Sequence, residues 1–308
     1  MRSLGVRLTG REPEAEAVTA AGIRQRSEEA ASRLPALLVA AERVASTVAQ
    51  GVHGRRRVGQ GETFWQFRQY QQGDPLQRID WRQTAKRENV FIRENEWAAA
   101  QSVWLWLAQS ASMRYRSSEG LPDKHHRAAI LTLALSSLLV RGGERLALLG
   151  SGILPMSGRA VLERFATSFT RTEANPGSLP DPEPLPRYGR VVLISDFLSP
   201  PEEVQKALQQ LNGLGIMGHL LQVIDPAEET LPFSGRVRFE GLEGEGAALI
   251  GRVEAVRSEY MDLMRHHQTS IRDIARGLGW TLTTHSTDQP PSTALLAMYQ
   301  LLAEPPER

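Results

Sequence analysis

From Ser102 onward, short runs of uniform apolarity alternate with longer stretches whose apolar residues recur at helical spacing. Val103–Leu107 (VWLWL), Arg145–Leu149, Arg190–Asp196 (RVVLISD), His219–Asp225 (HLLQVID) and Trp280–His285 (WTLTTH) read as strands. The spacing predicts helices between them. His125–Val140 is apolar on nearly all sides, and Ala160–Phe169 follows it. Pro201–Leu214 carries proline at its start and glycine after its end, as helix chemistry prefers. Arg252–Leu278 ends in Gly277 and Gly279, and Ser292–Leu302 closes the chain. A proline-rich linker, Asn175 to Pro186, interrupts the alternation.

Upstream the pattern differs. Leu34, Leu37, Leu38, Ala41, Val44, Ala45 and Val48 form one apolar stripe of a helix that Gly51 and Gly54 end. Glu62–Tyr70 (ETFWQFRQY) has the aromatic content of a strand, Gly73-Asp74-Pro75 is a turn signal, and a short polar helical piece lies around Ile79 to Arg87. A second strand is expected around Asn89 to Asn95. Three regions follow: a helical segment over 1–50, a segment with short strands over 51–100, and an α/β domain over 101–304.

Strands that are apolar throughout, alternating with helices, imply a parallel sheet covered on both faces. Such sheets bind ligands outside the carboxyl ends of their strands. That rule singles out two loops, Ala108–Met113 and Ser195–Ser199. The first, AQSASM, is small and hydroxyl-rich; the second begins with Asp196.

Composition narrows the chemistry. Apolar residues at 41% and charged ones at 23% are ordinary for a globular protein. A formal net charge of +1 gives no global field toward nucleic acid, so no nucleic-acid partner is expected. With no cysteine, disulfides, thiolate catalysis and Cys-based zinc sites are excluded. The longest apolar run, Ala128–Val140, is bracketed by Arg127 and Arg141 and falls short of the roughly 20 residues a membrane span needs. The first residues lack the apolar core of a secretory signal. The expected location is the cytoplasm.

Several motifs dissolve on inspection. Gly213, Gly215 and Gly218 spell G-x-G-x-x-G, but follow a helix and open a strand, the reverse of a dinucleotide site. They read as a helix stop and turn. There is no P-loop, and Gly150-Ser151-Gly152 lacks the spacing of a nucleophile elbow. His125-His126 and His266-His267 are adjacent, whereas zinc-binding helices place histidines one turn apart; a surface or helix-end role is expected for both pairs. Arg55, Arg56 and Arg57 read as a solvated basic loop. Gln69–Glu96 is dense in charge, with Asp74, Arg78, Asp80, Arg82, Lys86, Arg87, Arg93, Glu94 and Glu96, and reads as an ion-pair network anchored by Trp81.

GQGETFWQFRQYQQGDPLQRIDWRQTAKRENVFIRE, then a strand, then S-x-S-M, then ISDF, resembles domain-of-unknown-function family fifty-eight. Gly73-Asp74, Arg78 and Ile79-Asp80-Trp81 carry the signature, and Asp225 to Thr287, closing in GW…THSTD, resembles one soluble branch of the family. The resemblance spans roughly Gly51 to Leu302. It implies a von Willebrand factor A-like, Rossmann-like α/β domain. In such domains an Asp-x-Ser-x-Ser loop, with a Thr and a further Asp, often holds a divalent cation. Here Ala108 stands first in the loop; Ser110 and Ser112 remain, Asp196 matches the distal Asp, and Ser157 is a weak match for the Thr. Two hydroxyls and one carboxylate make a poor Mg²⁺ site, so a degenerate metal-ion-dependent adhesion site is expected, with no cofactor beyond weak Mg²⁺. Asp196 is expected to bond to the two hydroxyls, which could also cap the backbone that follows.

The resemblance further implies a non-enzymatic protein-interaction module, partnering a MoxR-type AAA+ ATPase in a chaperone-like system with other proteins as clients. One alternative is a hydrolase using Ser110 or Ser112 with Asp196 and a histidine such as His285. Another is a divalent-cation-dependent adhesion-like switch.

Overall fold

The computed structural model describes residues 36–49, 64–69, 84, 90–95, 102–170, 177–186, 189–213, 215–244 and 246–303. Gly73, Asp74, Arg78, Asp80, Trp81, the Arg55–Arg57 cluster and the helix-ending Gly51 and Gly54 lie outside the described residues.

Helix α1 (residues 36–49) turns Leu37, Ala41, Ala45 and Val48 inward, as its stripe requires. Strands β1 (Phe64–Gln69) and β2 (Phe91–Asn95) form an antiparallel pair. The α/β domain then runs β3 (Ser102–Leu107), α2 (Lys124–Arg141), β4 (Arg145–Leu148), α3 (Ala160–Thr170), β5 (Arg190–Ser195), α4 (Pro201–Asn212) and β6 (Met217–Ile224). A short α5 (Pro226–Thr230) and a hairpin, β7 (Val237–Glu240) and β8 (Ala247–Ile250), precede α6 (Val253–Gly277), β9 (Thr281–Ser286) and α7 (Pro291–Ala303). The pattern of apolar runs did not point to α5 or to the hairpin.

The five long-range strands form one parallel sheet in the order β4-β3-β5-β6-β9. Side chains alternate across it. Val192 and Ile194 enter a core with α2, α3, α7 and α1, while Val191 and Leu193 enter a second core with α4 and α6. Both faces are thus covered, which is why β5 is apolar throughout. Helix α2 has buried residues on nearly every side because it is roofed in turn by α1: Ser137 Oγ donates to Glu42 at 2.9 Å, and Arg141 pairs with Glu42.

The chain leaves β3 for β4 on one side and returns to β5 on the other. The order therefore reverses between β3 and β5, and a crevice opens beyond their carboxyl ends.

The Gly213–Gly218 run is the helix stop and turn that its order in the chain demanded: Gly213 caps α4, Gly215 has φ +69°, and Gly218 lies inside β6. Gly218 has its own reason to be glycine. A Cβ there would run into the indole of Trp280, which is pinned by Nε1 bonds to the Ile216 carbonyl at 3.1 Å and Asn212 Oδ1 at 3.2 Å. G218A should therefore lose roughly 1–3 kcal/mol of stability, the usual cost of overpacking, read by urea denaturation. Wild-type stability would mean that the ring can move aside.

Candidate functional site

Two loops meet at the crevice. Leu107 of β3 pairs in register with Ile194 of β5, and the Ala108 amide still donates to the Ile194 carbonyl at 2.9 Å. Ser110 and Ser112 follow one strand and Asp196 the other. All three are buried. The backbone just past Asp196 is unusual: Phe197, fully buried, has φ +50°, a conformation rare for a bulky residue. It is held from several sides. His267 Nε2 donates to the Phe197 carbonyl at 2.7 Å, the Phe197 amide donates to Ser195 Oγ at 3.3 Å, and Gln222 Nε2 donates to the Asp196 carbonyl at 2.9 Å. Strain of this kind persists only where surroundings over-determine it, and it concentrates at functional sites.

The centre of the crevice is an ammonium group. Lys124 is the first residue of α2, with Asp123 as its N-cap, and its side chain is 0% exposed. Nζ donates to Asp196 Oδ2 at 2.9 Å and to Glu228 Oε1 at 2.5 Å, two carboxylates that are themselves 2% and 5% exposed. A cation at a helix N-terminus opposes the helix dipole, so helix stability does not explain Lys124; the two carboxylates do.

Each acid is fixed by a second contact. The remaining oxygen of Asp196 accepts from the Leu198 amide at 3.4 Å. Glu228 Oε2 accepts from the Asp225 amide at 2.9 Å, one half of a capping box that opens α5. Asp225 in turn accepts from the Ala227 amide at 2.8 Å and the Ser117 amide at 2.9 Å, tying α5 to the β3 side of the crevice.

Charge is shared unequally in this triad. Burial disfavours the Lys124 ammonium, but Asp196 and Glu228 outweigh it and raise its pKa, so the group stays charged. Burial would raise the Asp196 carboxyl; Lys124, the Ser112 hydroxyl and the Leu198 amide instead hold it below the usual carboxylate range. Burial raises Glu228, the neighbouring Asp196 charge adds to that, and Lys124 offsets it only in part. Asp196 is therefore the firm counter-ion, and Glu228 is the group that holds a proton most readily.

Ser110 Oγ and Ser112 Oγ are 3.0 Å apart. Because Ser112 also serves the Asp196 carboxylate, which can only accept, Ser112 donates to Asp196 and Ser110 donates to Ser112. Ser110, the residue that precedes the 3-10 turn Ala111–Arg114, makes no side-chain capping bond to it. Ser157 is exposed on the stretch before α3 and makes no bond to this group.

These oxygens do not fit a divalent ion as they stand. The point between the two carboxylates is taken by Nζ. Two unit charges about 4 Å apart interact by ~4 kcal/mol at an effective dielectric near 20, and a doubly charged ion doubles that to ~8 kcal/mol. Such repulsion is about the free energy of a micromolar complex. Among the described residues no group of three or more His, Cys, Asp or Glu is placed to hold a metal.

Among the described residues no hydrogen bond joins a histidine to Ser110 or Ser112. His285 is buried at the end of β9 with its pKa pushed down to about 4 by burial and then by Arg127, and its Nε2 has no hydrogen-bond partner among the described residues. His267 is committed to Phe197, and His125 Nδ1 meets Arg114 Nη1 at 3.1 Å. The adjacent histidine pairs were expected at surfaces or helix ends. The first pair does lie at a helix end, in the first turn of α2, whereas the second lies inside α6; each pair splits, His126 and His266 exposed and His125 and His267 buried, because neighbours on a helix point about 100° apart.

Beside the triad lies a cleft of about 510 Å³, reached past Ser112 and Asp196. Its walls include Ser178, Ser199, Glu203 and, from the β7–β8 turn, Glu243, whose carboxylate accepts from Ser178 Oγ at 3.3 Å.

A sequence model of the family described as "Protein of unknown function DUF58" matches residues 66–270. Uncharacterized proteins of Mycobacterium tuberculosis and Mycobacterium bovis are 26% identical over 248 residues, covering 75% of this chain and 76% of theirs. The crystal structure of the conserved hypothetical protein BatB from Bacteroides thetaiotaomicron is similar at a TM-score of 0.39 and 16% identity, covering 66% of this chain and 98% of that one.

The unequal triad makes a pH-resolved prediction. Asp196, depressed on folding, contributes stability above the ordinary Asp value near ~4 and loses it as pH falls through its lowered value. Glu228, raised on folding, contributes fully below the ordinary Glu value of ~4.3 and loses that contribution as pH rises through its raised value. At neutral pH, D196N should cost roughly 3–5 kcal/mol, as for a broken buried pair. E228Q should cost clearly less, and should narrow its deficit as pH rises. Urea titrations across pH read both; equal costs at every pH would refute the asymmetry.

Proposed function

We propose that this chain, which belongs to the family described as protein of unknown function DUF58, is a non-enzymatic protein-interaction module. In this reading its α/β domain is von Willebrand factor A-like, and it works in the cytoplasm as a partner or adaptor of a MoxR-type AAA+ ATPase in a chaperone-like system. No helix among the described residues is long and apolar enough to cross a membrane.

The observation that carries the reading is the state of the strand-end residues. Asp196, Lys124, Glu228, Ser110 and Ser112 satisfy one another. Groups spent in this way hold a surface in shape rather than attack a substrate. The hydrolase alternative needs a base on Ser110 or Ser112, and among the described residues the buried His267 and His125 are bonded elsewhere while His285 Nε2 has no partner. The adjoining cleft offers hydroxyl and carboxylate oxygens from Ser178, Ser199, Glu203 and Glu243, so an occupant must bring hydrogen-bond donors.

Purified chain should bind a purified MoxR-type AAA+ ATPase from the same cell in a manner that depends on ATP, measured by calorimetry. A bulky S199W change in the cleft should weaken that binding at least about tenfold, equivalent to ~1.4 kcal/mol, without altering thermal stability. Affinity purification from the source cell, with and without ATP, that recovers neither an AAA+ ATPase nor another stable protein partner would overturn the proposal.

A further inference from the structure

Five polar side chains converge at the reversal point of the sheet, and the arrangement has the donor chemistry of a hard-cation site with a lysine inside it. Asp196 Oδ2, just past β5, and Glu228 Oε1, in the first turn of α5, face one point, at 2.9 and 2.5 Å from Nζ. The Ser112 hydroxyl stands on Asp196, and Ser110 stands 3.0 Å from Ser112. Oxygen ligands of this kind, two of them anionic, are what Mg²⁺ and Mn²⁺ take, with water filling the other positions.

We propose that the Lys124 ammonium is a tethered replacement for a divalent cation, closing the site to metal in the native chain, and that removing the side chain opens a site for Mg²⁺ or Mn²⁺ built from Asp196, Glu228 and Ser112. Each carboxylate also has a backbone donor that does not involve Lys124. Asp196 keeps the Leu198 amide, and Glu228 keeps the Asp225 amide inside the capping box. The truncated site thus retains its oxygens and gains the volume of three methylenes and an ammonium for the ion and its waters, and an ion that displaces the Glu228 proton meets two negative charges. A doubly charged ion neutralises both, where the ammonium neutralises one.

The replacement has a functional consequence. A metal ion exchanges ligands, and an incoming carboxylate can complete its shell. A buried ammonium is attached to α2 and 0% exposed, so no ligand from outside reaches it. Whatever the crevice recognises, it recognises without an exchangeable ion. This inference stands apart from the partner reading, since it concerns only what fills the crevice.

The test compares wild type, K124A and K124A/D196N, each as the full chain. Melting temperature is measured with EDTA and with millimolar Mn²⁺, and retained Mn is measured by elemental analysis after gel filtration in Mn²⁺ buffer. Wild type should show the same melting temperature in both conditions and retain no metal. K124A should melt lower in EDTA, rise by roughly 5 °C or more in Mn²⁺, and retain Mn stoichiometrically. K124A/D196N should lose both the rise and the metal. If K124A does not fold in EDTA, refolding decides: recovery only with Mn²⁺ supports the replacement, and failure in both conditions overturns it. Metal retained by wild type and lost in D196N, or a folded K124A that ignores Mn²⁺, overturns it as well.

Discussion

One ammonium group between two carboxylates organises the working end of this protein. Lys124 rises from the first turn of α2, Asp196 from the end of β5 and Glu228 from α5. Three segments far apart in the chain thus meet at a point that water does not reach. A buried ion pair of this kind is a poor route to bulk stability, because desolvation consumes much of the Coulomb gain. Losing one partner, however, strands a charge. The pair therefore acts as a registration device, tolerating only one arrangement of the loops around it.

The strain at Phe197 makes sense beside that constraint. A left-handed phenylalanine is costly, yet His267 on α6, Ser195 on β5 and Gln222 on β6 each hold the turn, and Phe197 itself is fully buried among apolar side chains of the second core. The turn aims Asp196 at α2 rather than at solvent. Both helical layers contribute: α2 supplies the cation from one face, while α6 braces the turn from the other. The capping box of α5 completes the set, since the hydrogen bond that starts that helix also orients the Glu228 carboxylate. Local chain chemistry and the central ion cluster are here the same bonds.

Much of the framework could be read from the residues, for physical reasons. A parallel strand buried on both faces must be apolar throughout, so VWLWL, RVVLIS and HLLQVI announce themselves, and the strand-end rule then points to Ser110, Ser112 and Asp196. The residue at the centre escaped because periodicity begins the α2 reading at His125, one residue too late. Lys124 contributes nothing to an apolar stripe, and its sign is wrong for a helix start; that mismatch was the available clue. Glu228 escaped for a related reason. A five-residue helix leaves no periodic trace, although Asp225-Pro226-Ala227-Glu228 spells the capping-box spacing. The hairpin at Val237–Ile250 is short and largely exposed, so its strands lack the apolar run that marked the others. Which histidine of each adjacent pair turns inward depends on the docked helix, which no single stretch encodes.

The most direct measurement is ¹⁵N NMR of the lysine side chains, with and without Mn²⁺. The account predicts one ammonium resonance protected from exchange, assigned to Lys124 by its loss in K124A, still protonated well above neutral pH and unbroadened by the paramagnetic ion. A Lys124 amine that exchanges freely, titrates near neutrality or broadens on adding Mn²⁺ would contradict it.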